Sequence, residues 1–350
     1  MDGDAPPVGL TDPASAALAN LLRGRALRDP HRRLREEGWT DGEGRLRADR
    51  ALLLVSDIGG TKMLTALCDL RGGVLAETTD PTPDAGAPAL VDRVIAQRDA
   101  LLGQIGRPCA DIAAAGLGVP ASIDPATGRL HRGPNIPGLE EGDLAGGFAA
   151  ALGRPVAIEN DVNMAALGEH WRGGTRRADL TVFIAIGTGI GMGVVIGDRL
   201  LRGATGAAGE IAFLPLGADP EDPATHAMGP LEHAISSEAL MRVYRAAGGR
   251  ADSLRDAFAR PDPALDEVLD QLALWVARSC QAVAAILDPE AIVFGGSLGF
   301  RPEVLGRVEA VLARSMARPP ACRVTALGPR AALVGAARAA RTALAASIQG

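Results

Sequence analysis

Lysine is almost missing from this 350-residue chain, where Lys62 stands alone against thirty-five arginines. The skew reads as genomic base composition and not as a phosphate-binding signal. A formal net charge of −6 excludes a surface generally suited to coating nucleic acid. Cysteine is scarce too. Cys68, Cys109, Cys280 and Cys322 are widely scattered, without the Cys-x-x-Cys spacing of a metal site or redox pair. They are expected to be reduced, most of them in the core. Long hydrophobic runs are also lacking: Leu52 to Val55 and Val194 to Ile196 fall far short of the roughly twenty residues of a membrane span. The start of the chain, with Asp2, Asp4 and two prolines, has no basic segment leading into an apolar one, so no secretory signal and a cytoplasmic location are expected.

What is present is a large reserve of core residues, 47% hydrophobic, in a length that favours about two domains. Residues 1–50 form an extension rich in Pro, Gly, Asp and Arg, whose apolar periodicity is confined to about Ala14 to Leu34. Beyond it, Ala51 to Asp57 has the continuous hydrophobicity of a buried strand. A glycine turn and a second strand at Met63 to Asp69 follow, then a helix spaced by Leu90, Val94 and Leu101. Buried strands are predicted at Ile112 to Val119 and Pro155 to Glu159, with a helix from about Val162 to Trp171. The second half repeats the opening: a strand at Thr181 to Ile186, a glycine turn, and a returning strand to Ile196. Helices at Leu272 to Leu287 and Ala331 to Ala346, a strand at Ala291 to Phe294 and an irregular loop from Pro215 to Pro230 complete the reading. The predicted domains are 51–170 together with a C-terminal helix at about 335–350, and 171–334.

Three strand-end turns carry the chemical signal. In Asp57-Ile-Gly-Gly-Thr-Lys62, Gly59 and Gly60 allow a tight hairpin that brings backbone N–H groups, the Thr61 hydroxyl and Lys62 toward an anion, with Asp57 placed to hold Mg²⁺ through water. A single Gly-Gly turn is more often an ordinary hairpin. Gly187, Thr188 and Gly189 repeat the chemistry in the other half of the chain, and Gly295 and Gly296 add a third turn. Packing alone does not call for three.

Together with Gly133-Pro-Asn-Ile-Pro-Gly138, Glu159-Asn-Asp-Val-Asn163 and Gly206-Ala-Ala-Gly-Glu-Ile211, these turns resemble the ROK family of sugar kinases and sugar-responsive repressors. The likeness runs from about residue 52 to the C-terminus. It implies an α/β protein with two actin/hexokinase-like, ribonuclease H-like domains around a central cleft. It also implies ATP and Mg²⁺ as cofactors and a small-molecule sugar as partner, in a homodimer with no membrane association.

The resemblance makes Asp161 the catalytic base. On its own, an Asp that follows a strand and opens a helix reads as an N-cap. Asn160 beside it, and Asn135 from the Pro-Asn-Ile-Pro-Gly turn, are implied to contact sugar hydroxyls, although Asn135 also suits a turn without any ligand. Glu210 and Glu232 are implied as sugar-contacting glutamates. For Glu232 the alternative is an exposed charge at a helix start.

Two departures stand out. Phe213 occupies the position of a zinc-binding His, and Gly217 to Leu231 lacks the family's cysteine cluster, so no zinc is expected. Leu139 replaces a common Trp, which leaves the choice of sugar, whether a hexose or an N-acetylhexosamine, open. The N-terminal extension raises a competing function. Residues 21 to 35 hold six arginines against one acid, and Leu34 to Trp39, followed by Gly42 and Gly44, resembles a recognition helix entering a wing. Fifty residues are short for a complete winged-helix domain, however, and their nine arginines are matched by nine acids. A truncated remnant is expected, with DNA binding and a sugar-sensing regulator as the secondary reading.

Overall fold

The structure is a computed structural model that describes residues 12–25, 32–131, 136–140, 142–176, 178–187 and 189–348. The chain divides into two units. The first holds the described residues up to Arg172, Gly203–Ala207 and those from Arg330 onward; the second holds Gly173–Arg202 and Ala208–Pro329.

In the first unit, β1 (Leu52–Ile58), β2 (Lys62–Asp69) and β3 (Val74–Pro81) form an antiparallel meander. β4 (Ile112–Val119) is followed by a small hairpin, β5 (Ser122–Ile123) with β6 (Leu130–His131), and then by β7 (Val156–Asn160). The sheet order is β3-β2-β1-β4-β7, and β1, β4 and β7 run parallel. β1 is apolar at successive positions because both of its faces are covered. Leu52 and Leu54 pack toward the helices Gly86–Ile105 and Leu144–Leu152, while Leu53 and Val55 pack with the C-terminal helix Ala331–Ser347.

Described parts of the N-terminal extension belong to that second layer. Helix Asp12–Leu22 contributes Leu18 and Leu22, and Leu34 and Trp39 follow from the next segment; all four are fully buried against the C-terminal helix or its neighbours. Each such side chain contributes about 1.5–3 kcal/mol of burial. The Arg341 guanidinium, itself 5% exposed, donates to the carbonyl of Leu21 at 3.0 Å, a favourable cation at a helix C-terminus. Short pairing of Thr40 with Leu46 closes a turn in which Asp41 Oδ1 accepts from the backbone of Glu43 and Arg45.

The C-terminal helix crosses helix Asp161–Arg172 at glycines. A Cβ on Gly335 would lie 1.7 Å from the carbonyl oxygen of Met164, and one on Gly168 2.2 Å from that of Ala331. No side chain fits, so the backbones touch, and the orientation of the helix that begins at Asp161 is set against the sheet.

The second unit repeats the plan with β8 (Leu180–Ile186), β9 (Ile190–Ile196), β10 (Arg199–Leu200), β11 (Ala291–Gly295) and β12 (Ala321–Val324), ordered β10-β9-β8-β11-β12. β8 pairs antiparallel with β9 and parallel with β11. Val182, Ile184 and Ile186 share a core with Ile292, Phe294 and the buried face of helix Ala264–Leu287. That helix begins eight residues before the apolar run predicted for it: its first turns bury Leu265, Val268 and Leu269, while the exposed Asp266, Glu267 and Asp270 interrupt the apolar pattern. The segment from Pro215 to Pro230 is mostly turns, with one short helical turn at Pro223–Thr225, as its prolines suggested.

Candidate active site

The parallel strands of the first unit align their C-terminal ends. Asp57 on β1 lies level with Gly118 on β4, and Gly118 lies level with Glu159 on β7, so Asp57, Gly118 and the Glu159-Asn160-Asp161 corner form one row. Gly118 leaves the row open, since a Cβ there would stand 3.6 Å from Asp57 Oδ1 and 3.4 Å from the Asp161 Cα. Carboxyl ends of parallel strands are where open α/β sheets bind ligands. Asp57 is half-buried. Burial pushes its carboxyl pKa up to about 6, against the opposing pull of the Lys62 charge.

At the β7 corner the cap is made by Asn160. Its Oδ1 accepts from the backbone N–H of Val162 at 2.9 Å and of Asn163 at 3.1 Å, the geometry of an N-cap. Asp161 is therefore the first residue inside the helix, and its Oδ1 accepts from Val162 N–H at 2.8 Å. Glu159, 5% exposed, accepts from Asn163 Nδ2 at 3.1 Å and from the Asn160 N–H, which braces the corner from beneath. Glu159 and Asn163 were absent from the sequence-level site. Their position flanking Asn160 and Asp161 was the available signal.

The turn of Gly59, Gly60, Thr61 and Lys62 joins β1 to β2 with its last three residues exposed, and Gly59 N–H donates to the Lys62 carbonyl at 3.0 Å. Asn135 and Thr188 lie outside the described residues.

In the second unit, Gly187 N–H donates to the Gly189 carbonyl at 2.9 Å, closing the β8–β9 turn. Glu232, in the first turn of helix Pro230–Ile235, reaches this turn: its Oε2 accepts from Ile190 N–H at 2.9 Å. The fit requires glycine, because a Cβ on Gly189 would sit 2.3 Å from that oxygen. Glu232 is thus half-buried and hydrogen-bonded, and not the exposed charge of its alternative reading. Burial raises its pKa, the Ile190 N–H lowers it, and the nearby Glu210 carboxylate adds like-charge repulsion. Glu210 itself leads into the helical turn Ile211–Phe213. The third predicted turn is instead a strand-to-helix junction, Gly295 ending β11 and Gly296 opening the short helix Gly296–Gly299; it packs on the same strand end, with the position of a Cβ on Gly187 3.5 Å from Ser297 Oγ and Gly296 (φ 81°) against the Ile186 carbonyl. Glycine turns 187–189 and 295–297 are therefore brought together, with Glu232 and Glu210 beside the first of them.

Among the described residues no group of three or more His, Cys, Asp or Glu side chains is arranged to hold a metal ion, and no helix is long and apolar enough to cross a membrane.

Comparison with known proteins places the chain in a family. The ROK family model matches residues 54–343. A glucokinase of Streptomyces coelicolor is 30% identical over 311 residues, covering 81% of this chain and 96% of its own. A ROK family glucokinase from Streptomyces griseus, solved in complex with glucose and AMPPNP, superimposes with a TM-score of 0.70 at 28% identity, covering 83% of this chain and 99% of its own. A ROK family transcriptional regulator, a homologue of the E. coli MLC protein, shares the fold over 97% of this chain and 98% of its own, with a TM-score of 0.76 at 19% identity. The chain belongs to the ROK family and has its mixed α/β, actin/hexokinase-like fold.

Proposed function

We propose that this protein is an ATP-dependent sugar kinase that transfers the γ-phosphoryl group to a hydroxyl of a hexose or N-acetylhexosamine, with Asp161 as general base. The observation that carries the reading is the division of labour at the β7 corner. Asn160 supplies the N-cap, so capping of the helix does not depend on the Asp161 carboxylate, whose Oδ1 accepts from the adjacent Val162 N–H. In the proposed reaction the sugar hydroxyl attacks the γ-phosphorus, its proton passes to the Asp161 carboxylate, and the bond from the γ-phosphorus to the β-bridging oxygen breaks to release ADP.

The turns of Gly59, Gly60, Thr61 and Lys62, of Gly187, Thr188 and Gly189, and of Gly295 and Gly296 are assigned to the nucleotide. Asn135, Asn160, Glu210 and Glu232 are assigned to sugar hydroxyls. Of these, Asn160 has its carbonyl oxygen committed to the cap and one Nδ2 N–H directed at the Ala121 carbonyl at 3.4 Å, so its contribution to the sugar is the second Nδ2 N–H. Asp57 suits Mg²⁺: a half-buried carboxylate with a raised pKa is a hard oxygen ligand whose burial cost a divalent ion would offset. Bound there with ATP, the ion supplies neutralisation of phosphate charge.

The kinase works in the cytoplasm as a homodimer and without zinc. Elemental analysis of untagged protein is expected to find well under one zinc per chain, and about one per chain would refute this. The reading as a whole is tested by a coupled ADP-release screen across hexoses and N-acetylhexosamines with Mg²⁺·ATP; turnover of at least one sugar is expected.

A second reading has its own support. The regulator fold extends over the N-terminal region, and the Thr40–Leu46 pairing has the form of a short wing. Under that reading the chain senses sugar and binds DNA through the arginine-rich extension, with no turnover in the screen. A footprint on a defined operator at physiological salt, relieved by sugar, is its test.

A further inference from the structure

The loop after β3 does something that neither the sequence reading nor the family comparison assigns. Thr82, one residue past β3, donates twice into the β1–β2 turn. Its hydroxyl donates to the Gly59 carbonyl at 2.7 Å, and its backbone N–H donates to the Thr61 carbonyl at 3.1 Å. The chain contains no cis peptide bond among its described residues. In a planar trans peptide the carbonyl and the N–H of the next residue point in opposite directions. Fixing the Gly59 carbonyl on Thr82 therefore fixes the Gly60 N–H on the far side of the turn, which is solvent-exposed. A glycine pair left to itself would sample many peptide orientations, and ordering them at the moment of binding costs affinity.

Thr82 is in turn held. Pro81 pairs with Lys62 at the end of the β2–β3 ladder, and Asp80 accepts from Gln97 Nε2 at 3.0 Å while Arg93 stands 3.5 Å away. Gln97 continues inward: its Oε1 accepts from Thr65 Oγ1 at 2.6 Å, and Thr65 meets Ser56 at 2.8 Å. Ser56, Thr65 and Gln97 are buried, so this is a satisfied polar chain that ties β1, β2, β3 and helix Gly86–Ile105 into one frame. It ends at the strand from which Thr82 projects.

We propose that Thr82 is a positioning residue for nucleotide binding, which holds the first glycine turn with the Gly60 amide presented to an anionic phosphate oxygen. The proposal rests on the nucleotide role given above to the turn. Thr82→Val keeps the β-branched shape and the backbone donor and removes only the hydroxyl. Calorimetric titration with Mg²⁺·AMPPNP is expected to show a dissociation constant raised about three- to tenfold, the usual net worth of one hydrogen bond. Sugar affinity is expected to be unchanged, and kcat at saturating ATP to stay within about twofold. Thr82→Ser restores the donor and is expected to recover wild-type affinity, which a packing role for the Thr82 methyl would not permit. Amide hydrogen exchange without any nucleotide provides a separate readout: Gly60 to Lys62 are expected to exchange faster in Thr82→Val than in wild type or Thr82→Ser. Wild-type exchange together with wild-type nucleotide affinity in Thr82→Val overturns the proposal. If wild type itself binds no AMPPNP, the kinase reading falls and the presentation of Gly60 to a phosphate falls with it.

Discussion

Two of the hairpins closed by glycine turns, β1–β2 in the first unit and β8–β9 in the second, each have a carboxylate close by. In β1–β2 the acid is part of the motif: Asp57 is the next-to-last residue of the strand, and the turn beyond it is gripped by Thr82. In β8–β9 the acid arrives from a helix 42 residues beyond the amide it accepts from, and it enters the turn itself through the Glu232 bond to Ile190 N–H. The first turn therefore has its carboxylate in the preceding strand, within reach of the Lys62 charge. The second has its carboxylate in the backbone's own hydrogen-bonding, with Glu210 nearby. Similar turn sequences thus acquire different electrostatics. The first suits a metal-bound phosphate, while the second couples a glycine turn to a residue assigned to the sugar.

The comparison depends first on the first unit being the catalytic one. Asp161→Asn is expected to lower kcat by about a hundred- to ten-thousand-fold while sugar affinity, measured by calorimetry, stays near wild type. Asparagine preserves shape and the acceptor for Val162 N–H, and Asn160 remains to cap the helix, so near-wild-type kcat would remove Asp161 from the chemistry.

The contrast between the two acids can be sharpened by pH. The folded-state pKa of Asp57 stands at about 6, above the ordinary value of 3.8, so the folded protein holds this proton more tightly than the unfolded chain does. Stability without ligand should then fall as pH rises from about 4 to about 6, by at most about 3 kcal/mol from this group, and remain lower above. Asp57→Asn is expected to lose that dependence. Equilibrium denaturation of both proteins across pH 4 to 8 checks it, and parallel curves would show that Asp57 is not held out of water as described.

The smallest expected effect separates the turns themselves. Gly189→Ala places a methyl where Glu232 Oε2 now sits, whereas Gly59→Ala meets its nearest atom, the Lys62 carbonyl oxygen, at 3.1 Å. Gly189→Ala is expected to raise the KM for sugar about tenfold by displacing Glu232, and Gly59→Ala to leave that KM within about twofold. Equal effects of the two would mean that Glu232 is not coupled to its turn.

Much of the framework was legible because it is local. Continuous burial over Ile112–Val119 and the switch from apolar run to glycine turn at Asp57 and at Ile186 are properties of a few adjacent residues. Helix Leu144–Leu152 was not read, because two adjacent glycines in Leu-Ala-Gly-Gly-Phe argue against helix until Leu144 and Phe148 are packed into the core. The edge strand Ala321–Val324 escaped for a related reason. It is short and largely exposed, so it carries no hydrophobic signature and is ordered by pairing with β11.

The sequence by itself determined the local framework of the candidate site: a buried strand leading to Asp57, a helix opening at the Glu-Asn-Asp corner, and glycine turns at strand ends. It did so because turn conformation, strand periodicity and capping potential are settled within a few bonds of each residue. Its cap reading fell on Asp161, and the folded corner gave the cap to Asn160 instead, one residue earlier. Tertiary structure also decided that Glu232 enters the β8–β9 turn, that Thr82 grips the β1–β2 turn, and that helix Asp12–Leu22 packs against a helix more than three hundred residues away. Those contacts depend on the path of the whole chain, because closing so long a loop is worthwhile only when the intervening strands have already brought its ends together.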